Sequence, residues 1–125
     1  MYRTATLLII DDEKDLCHLL KIILLKEQFF IDCAFSLTDA GQKLLLQPQI
    51  IFLDNNLPDG SGLDYFRDHP DQFVKSSVIL ITADGSSLTK MQATEAGIYM
   101  FIQKPFSVTE IKEIVTKICK ENDQH

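Results

Sequence analysis

The chain has little cysteine, and its cysteines are spaced too widely for a metal or redox motif. Cys17, Cys33 and Cys119 form no CxxC pair, the spacing typical of many zinc sites and of thioredoxin-like redox centres. Free cysteine is among the most often buried residue types, and disulfides are rare in cytosolic proteins. We therefore expect all three to be reduced thiols in the core of a cytosolic protein.

Positive charge is also scarce. The 18 acidic residues outnumber the 12 basic ones and leave a formal net charge of -6. A surface of that sign repels phosphate backbones, so direct binding of nucleic acid by this chain is not expected. A cation or a basic partner surface is the better expectation.

Long apolar runs, repeats, low-complexity segments and linkers are missing as well. No run reaches the roughly 18 apolar residues of a membrane-spanning helix, and the start, MYRTATLLII, has no small-residue cleavage site after its short apolar run. We expect no export signal and no membrane span. The 125 residues, of which 46% are hydrophobic, predict one cytoplasmic domain covering residues 1–125.

The sequence does contain a series of short, continuous apolar runs. Continuous rather than alternating runs are typical of strands buried on both faces of a parallel sheet. Four of them are LLII (7–10), IIFL (50–53), VILI (78–81) and YMFI (99–102). A fifth run, FFIDCA (29–34), carries Asp32 in its middle, and this polar interruption predicts an edge strand.

Segments with helical spacing lie between these runs. Apolar residues recur at helical intervals in two stripes, Leu16, Leu19, Leu20 and Ile23, and Val108, Ile111, Val115 and Ile118. Strand and helix alternate five times, which predicts an α/β domain with a parallel sheet and helices on both faces.

Several local signals predict where helices begin and end. Ser107 with Glu110 predicts a capping box, Ser61 with Asp64 a weaker one, and Gly97 a helix end. The segment SSLTKMQATEA (86–96) has a thin apolar face. It therefore predicts a loosely held helix.

Chemically capable side chains follow the predicted strands. In open α/β sheets the functional site lies outside the carboxyl ends of the strands, so residues at these ends are expected to converge. They are Asp11 and Asp12 after the first run, Asp54 after IIFL, Thr82 after VILI, and Lys104 with Pro105 after the last run.

The acidic residues of this set predict a cation site. Carboxylates that are brought together repel one another, and oxygen-rich acidic clusters suit Mg²⁺ or Mn²⁺. Asp11, Asp12 and Glu13 also fit a simpler interpretation, because acids at a helix start complement its positive end. A second aspartate directly at the strand end is less easily explained in that way.

Asp54 is a candidate nucleophile. A carboxylate can attack phosphorus and form an aspartyl phosphate if the incoming oxygens are neutralised, here by the cation, Lys104 and the Thr82 hydroxyl. Each residue has a plainer alternative: Asp54 can open a turn, Lys104 can be a solvated surface charge, and Thr82 can bond the local backbone. Pro105 favours a fixed direction for Lys104, since X-Pro bonds can be cis. The combination is more specific than any member.

The ordered motifs IIDDE, IIFLDNNLPDGSG, ILITADG and FIQKPF closely resemble the receiver domain of bacterial two-component response regulators, over essentially the whole chain. The resemblance implies a flavodoxin-like (βα)₅ fold with strand order 2-1-3-4-5. It also implies Mg²⁺-dependent transfer of a phosphoryl group from a phosphohistidine, on a sensor histidine kinase or phosphotransfer protein, to one aspartate.

The same resemblance assigns the phosphoacceptor and metal ligands. Matched residue by residue, Asp54 falls on the phosphoacceptor position. Asp11 and Asp12 fall on the acidic pair, with Asp12 as the direct metal ligand, and Asn56 falls where a backbone carbonyl coordinates the ion.

The resemblance also implies a switch. Lys104 matches the lysine of the family pattern, Pro105 the position often found cis, Thr82 the hydroxyl that contacts the phosphoryl group, and Phe101 the switch aromatic. Phe101 lacks a hydroxyl, so its switching must work through packing. The expected output is a remodelled surface of the fourth helix, fifth strand and fifth helix, which would control a downstream partner, a fused output domain or a phosphorylation-dependent homodimer.

Two departures affect the details. Met100 stands where many relatives with a similar LPDGSG loop carry an acid, which affects the partner surface. Asn56 and Asp84 occupy positions that tune the phosphoryl lifetime in this family, and a polar pair there predicts a labile aspartyl phosphate.

Three other functions fit parts of the pattern. An Mg²⁺-dependent aspartyl-phosphate phosphatase needs a second acid two residues after its nucleophile, where this chain has Asn56. A nucleotide or flavin binder needs a Gly-, Ser- or Thr-rich loop after the first strand, where this chain has acids. A non-phosphorylated docking module would be expected to lack Asp12, Asp54 or Lys104, and all three are present.

Overall fold

Strands and helices alternate along the part of the chain that the computed structural model describes, residues 5–27 and 29–122. The strands are β1 (Ala5–Ile10), β2 (Phe29–Ala34), β3 (Ile50–Asp54), β4 (Ser77–Thr82) and β5 (Met100–Gln103). The helices are α1 (Lys14–Ile23), α2 (Leu37–Lys43), α3 (Gly62–Asp68), α4 (Ser87–Ala96) and α5 (Val108–Asn122). Smaller elements are two 3-10 helices, Leu44–Leu46 and Pro70–Phe73, and a hairpin of Asn56–Leu57 with Gly60–Ser61.

The five strands form one parallel sheet in the order β2-β1-β3-β4-β5. This confirms the predicted order and the predicted edge position of the run that carries Asp32. Ile10 lies opposite Ala34 on one side and Leu53 on the other. The carboxyl ends of β1, β2 and β3 therefore meet at the same edge of the sheet.

Each face of the sheet has its own apolar core, because successive side chains of a strand point to opposite faces. One core joins the sheet to α1 and α5, and its strand residues are Leu7, Ile9, Cys33, Ile50, Phe52, Ile79, Ile81 and Ile102. The other joins the sheet to α2, α3 and α4, and its strand residues are Leu8, Ile10, Ala34, Ile51, Leu53, Val78 and Leu80. The prediction of helices on both faces is confirmed.

The helix ends follow the local signals in the sequence. Ser61 caps α3 by accepting a hydrogen bond from the Asp64 amide. At the start of α5 the Ser107 Oγ accepts from the Glu110 amide, and the Glu110 carboxylate accepts from the Ser107 amide. Gly97 ends α4 in a left-handed conformation with φ of 96°, which costs glycine little. These capping predictions are confirmed.

The two apolar stripes do lie on helices, α1 and α5, but one residue of each stripe is exposed. Leu19 is 45% exposed and Val108 is 49% exposed. The buried residues of α1 are Leu16, Cys17 and Leu20, and Val108 is the first residue of α5.

Helix α4 is held by few apolar contacts, as its sequence predicts. Its buried residues are Thr89 and Ala93, while Leu88 and Met91 are exposed. By contrast, α5 buries four aliphatic side chains. Because burial of apolar side chains stabilises a helix against its sheet, α4 is the more easily displaced of the two.

The cysteine prediction was wrong for one pair. Cys17 of α1 and Cys33 of β2 are joined by a disulfide, with their Cα atoms 6.4 Å apart. Both are buried, as expected, and Cys119 is half-buried. The sequence separation of 16 residues conceals the pairing, because α1 packs back against the edge strand and brings the Cα atoms within the range that a disulfide spans.

No helix within the described ranges is long and apolar enough to cross a membrane.

Candidate functional site

The polar residues predicted to converge do meet at the carboxyl edge of the sheet. Asp11 follows β1, Asp54 ends β3 and Thr82 ends β4. Lys104 follows β5, and its backbone amide donates to the Thr82 carbonyl at 2.9 Å. The parallel register therefore brings together side chains that are up to 93 residues apart in the sequence.

The Lys104 ammonium lies among three carboxylates. Its Nζ is 3.0 Å from an Asp11 oxygen, 3.6 Å from a Glu13 oxygen and 3.7 Å from an Asp54 oxygen. The peptide bond between Lys104 and Pro105 is cis. Glu13, which also fits the interpretation as a helix-start charge, thus lies beside the charged site.

Asp11 is fixed by its hydrogen bonds. One carboxylate oxygen accepts from the Glu13 amide at 2.9 Å and the other accepts from Lys104. The Asp11 amide donates to the Ala34 carbonyl of β2 at 2.9 Å. Burial raises the pKa of Asp11, and the bonds to Glu13 and Lys104 offset only part of this effect.

Asp54 is a buried carboxyl beside other acids. Burial, followed by the charge of Asp11, raises its pKa to about 6. Lys104 and a hydrogen bond from the Asn56 amide act in the opposite direction, and Asp12 adds a smaller upward effect. A pKa of about 6 leaves Asp54 mostly ionised at neutral pH, as a nucleophile requires. The buried negative charge destabilises the folded state, and a bound cation would reduce this destabilisation.

The electrostatics of Lys104 complete this picture. Burial lowers its pKa, but the hydrogen bond to Asp11 and the charges of Asp11, Asp54 and Glu13 outweigh burial, so that the pKa is raised overall. Lys104 therefore stays positively charged at neutral pH. It neutralises part of the acidic cluster and leaves the remainder for another cation.

Three aspartates lie close enough together to hold a divalent cation. One oxygen from each of Asp11, Asp12 and Asp54 lies within 4.8 Å of the others. Asp12 is exposed, whereas Asp11 and Asp54 are buried. Hard carboxylate oxygens at this spacing, with raised pKa values at both buried members, fit Mg²⁺ or Mn²⁺.

Asn56 lies next to this cluster. Its amide donates to an Asp54 oxygen at 3.3 Å, so its backbone is adjacent to the carboxylate. Its side chain is exposed. This placement suits the backbone carbonyl role that the sequence motif implies for Asn56.

The loop after Asp54 contains interactions that the sequence did not reveal. Asn55 Oδ1 accepts hydrogen bonds from Ser61 Oγ at 2.8 Å and from the Leu63 amide at 3.0 Å. Asp59 accepts from the Leu37 and Thr38 amides at the start of α2, and these bonds lower its pKa. Turn-forming residue types are a signal for a turn, but they do not say which distant amides a loop carboxylate will bind.

Thr82 connects the site to α4. It is fully buried, and its Oγ1 accepts from the Asp84 amide at 3.2 Å. The Asp84 carboxylate accepts from Thr89 Oγ1 at 2.7 Å and from the Ser86 amide at 3.0 Å, and these bonds lower the pKa of Asp84. The first turn of α4 is thus tied through Asp84 to the Thr82 hydroxyl.

Phe101 lies on β5 beside this helix. It is half-buried, packs against the core on the α3 and α4 face, and has Lys90 Nζ 5.7 Å from its ring centroid. The two predicted switch residues therefore both contact or adjoin α4.

The family-model comparison agrees with this geometry. Residues 7–116 match the model of the response regulator receiver domain. The chain belongs to this family. The matched range includes all the strand-end residues of the site, from the acidic pair after β1 to the lysine after β5.

Curated relatives include longer proteins. Over 109 residues the receiver domain is 36% identical to the response regulator protein PilR of Pseudomonas aeruginosa. The aligned region covers 86% of this chain and 24% of PilR. Over 120 residues it is 33% identical to the transcriptional regulatory protein CitB of Klebsiella pneumoniae. This aligned region covers 94% of this chain and 51% of CitB. The chain thus spans about a quarter of one relative and about half of the other.

A solved structure supports the same fold. The beryllofluoride-activated NtrC4 receiver domain dimer in solution has a TM-score of 0.84 and 33% identity, and the match covers 93% of this chain and 97% of that one. This similarity confirms the flavodoxin-like receiver architecture.

Proposed function

We propose that this receiver domain accepts a phosphoryl group on Asp54 in a Mg²⁺- or Mn²⁺-dependent reaction. The donor is the phosphohistidine of a sensor histidine kinase or of a phosphotransfer protein. The observation that carries the proposal is the position of Asp54. It is a buried carboxylate with one oxygen 3.7 Å from Lys104 Nζ and with a ligand oxygen within 4.8 Å of oxygens of Asp11 and Asp12.

In the proposed transfer, an Asp54 carboxylate oxygen attacks phosphorus. A new O–P bond forms, the N–P bond of the phosphohistidine breaks, and its electron pair stays on the imidazole nitrogen, so no oxidant or reductant is needed. Asp54 must be ionised to attack, which its pKa of about 6 allows at neutral pH.

Each surrounding residue has a role in charge balance or position. Asp11, Asp12, Asp54 and the Asn56 carbonyl would hold the cation, which when bound neutralises phosphoryl oxygens. Lys104, whose Nζ lies 3.0 Å from an Asp11 oxygen and 3.7 Å from an Asp54 oxygen, would supply a second positive charge beside Asp54. Thr82 supplies a hydroxyl that can donate to a phosphoryl oxygen.

The proposed output is a change at α4, β5 and α5. If the Thr82 hydroxyl turns toward the phosphoryl group, it leaves the Asp84 amide, to which the first turn of α4 is tied. α4 buries little apolar surface, so a modest change at Thr82 can shift its position. Phe101 then repacks beside α4 without a hydroxyl of its own.

The receiver domain would act on a downstream partner, an output domain of a longer protein, or a second receiver. PilR and CitB are longer than this chain, and the activated NtrC4 receiver domain is a dimer. We place the domain, residues 1–125, in the cytoplasm. There it would catalyse only its own phosphorylation and dephosphorylation and would leave any contact with nucleic acid to other domains or partners.

Intact mass spectrometry tests this function. The protein is incubated with acetyl phosphate, with MgCl₂ or with EDTA, and compared with Asp54→Asn. We expect one phosphoryl group on the wild type with Mg²⁺ and none with EDTA or on the variant. Asp59→Asn is the matched control, because it neutralises an acid of the same loop outside the cluster, and it should still be phosphorylated. An equal adduct on Asp54→Asn, or none on the wild type, would contradict the proposal.

A further inference from the structure

Asn55, the residue after the proposed phosphoacceptor, joins the end of β3 to the start of α3. Its Oδ1 accepts hydrogen bonds from Ser61 Oγ at 2.8 Å and from the Leu63 amide at 3.0 Å. Its backbone carbonyl accepts from the Gly62 amide at 3.1 Å. These three bonds close the intervening residues, 56–61, into a loop whose two ends are held together.

Asn56 lies inside this closed loop and is held from two directions. Its amide donates to the Asp54 carboxylate at 3.3 Å, and its backbone pairs with Ser61 in the short hairpin. Since Ser61 is in turn bonded to the Asn55 side chain, Asn55 is linked through Ser61 to the Asn56 backbone.

The start of α3 packs against the same backbone. At Gly62 an added Cβ would clash with the Asp54 carbonyl oxygen and would lie 2.9 Å from Leu53 Cγ. There is therefore little space between α3 and the end of β3. The Asn55 bonds hold the helix in this close position, and the Asp54 and Asn56 backbones are held with it.

We propose that Asn55 is a positioning residue, whose side chain orients the Asn56 carbonyl and the Asp54 carboxylate for the divalent cation. This inference rests on the proposed function of the site. An amide suits the position because its oxygen accepts two hydrogen bonds without adding another negative charge beside Asp11, Asp12 and Asp54. Removal of groups that orient metal ligands commonly weakens metal binding without removing a ligand.

Calorimetric titration with MgCl₂ at neutral pH tests the role of Asn55 directly. For Asn55→Ala we expect the Kd for Mg²⁺ to rise by about tenfold, the lower end for loss of an orienting group, with binding of one ion per chain retained. Ser76→Ala is the matched control. It also removes a hydrogen bond from a half-buried side chain, from Ser76 Oγ to the Pro48 carbonyl at 2.6 Å, but at the opposite edge of the sheet, and its Kd should equal that of the wild type.

A second measurement separates positioning from folding. In acetyl phosphate reactions, Asn55→Ala should raise the half-saturating Mg²⁺ concentration by the same factor as the Kd. Its maximal rate at saturating Mg²⁺ should stay within about twofold of the wild type. A purely structural defect would instead lower the number of ions bound per chain and the maximal extent of phosphorylation, while Kd stayed the same.

The outcomes distinguish this inference from the proposed function. A wild type that binds no Mg²⁺ overturns both. If the wild type binds Mg²⁺ and the Asn55→Ala variant has the same Kd, only the role of Asn55 is overturned. The same holds if the variant binds fewer ions per chain at an unchanged Kd. If Asn55→Ala does not fold, Ser61→Ala replaces it. This variant loses one of the three Asn55 bonds together with the α3 cap. Its Kd should rise by a smaller factor, and an unchanged Kd refutes the role.

Discussion

Replacing Asp54 with asparagine should stabilise this receiver domain in the absence of a divalent cation. The wild-type carboxyl is buried and has a pKa of about 6, against an ordinary value of 3.8. The folded state therefore binds a proton more tightly than the unfolded state. Between these two pKa values, stability falls as pH rises, because the folded protein must give up a proton that the unfolded chain has already lost.

The magnitude follows from the pKa difference. Each pKa unit between folded and unfolded states is worth about 1.4 kcal/mol, so ionised Asp54 costs about 3 kcal/mol at neutral pH. At about pH 5 roughly half of this cost remains, since Asp54 is then largely protonated in the folded protein. Asparagine keeps the size of the side chain and an oxygen for the Asn56 amide, and it carries no charge.

Urea unfolding in EDTA at about pH 7.5 and about pH 5 measures this effect. Asp54→Asn should be more stable than the wild type by about 3 kcal/mol at the higher pH and by about half as much at the lower pH. With excess Mg²⁺ at the higher pH the advantage should shrink or reverse, because the cation stabilises the folded wild type.

Asp59→Asn provides the control of opposite sign. The Asp59 pKa is lowered by hydrogen bonds from the Leu37 and Thr38 amides. Its ionised form therefore favours the folded state, and the substitution should lose stability at neutral pH. The electrostatic reasoning would be refuted if Asp54→Asn and the wild type had equal free energies of unfolding, or if the difference between them did not change with pH.

Four further substitutions test separate parts of the structure. Lys104→Met leaves the buried Asp11 carboxylate without its positively charged partner. The free energy of unfolding in EDTA at neutral pH, measured with urea, should fall by about 3 kcal/mol. An unchanged value would contradict the role of Lys104 in neutralising the acidic cluster. Gly62→Ala forces a Cβ onto the Asp54 backbone carbonyl and should lose about 1–3 kcal/mol of stability in thermal unfolding. Its control is Gly41→Ala in α2, where the atom nearest to the added Cβ is 3.7 Å away. This variant should gain about 0.5–1 kcal/mol. Asp84→Ala should lengthen the lifetime of the aspartyl phosphate. The lifetime is measured by mass spectrometry, from the decay of the phosphorylated mass after the donor is removed. An unchanged lifetime would contradict the predicted lability.

Most of the fold was predictable because its signals are local. Continuous apolar runs identified the strands, and Ser107, Glu110 and Gly97 marked helix ends through hydrogen bonds within a few residues. The disulfide of Cys17 and Cys33 was missed because it depends on how α1 packs against β2, which no local pattern encodes.

The convergence of the candidate site residues was predictable, but their individual contacts were not. Asp11, Asp12, Asp54, Thr82 and Lys104 stand at strand ends, and a parallel sheet brings such positions to one edge. The sequence alone did not indicate that the Asp84 carboxylate would tie the first turn of α4 to Thr82. It also gave no sign of the Asn55 bonds to α3, because turn residues are common and their partners depend on the path of the loop.

The sequence by itself determined the order of strands and helices, the acidic character of the site and the family, because all three rest on residue types in a fixed order. Tertiary structure alone decided the electrostatic balance. Burial raises the pKa of Asp54, and three carboxylates surround Lys104 only after β1, β3 and β5 align. The strength of a charge interaction depends on distance and on exclusion of water, and neither is present until the chain has folded.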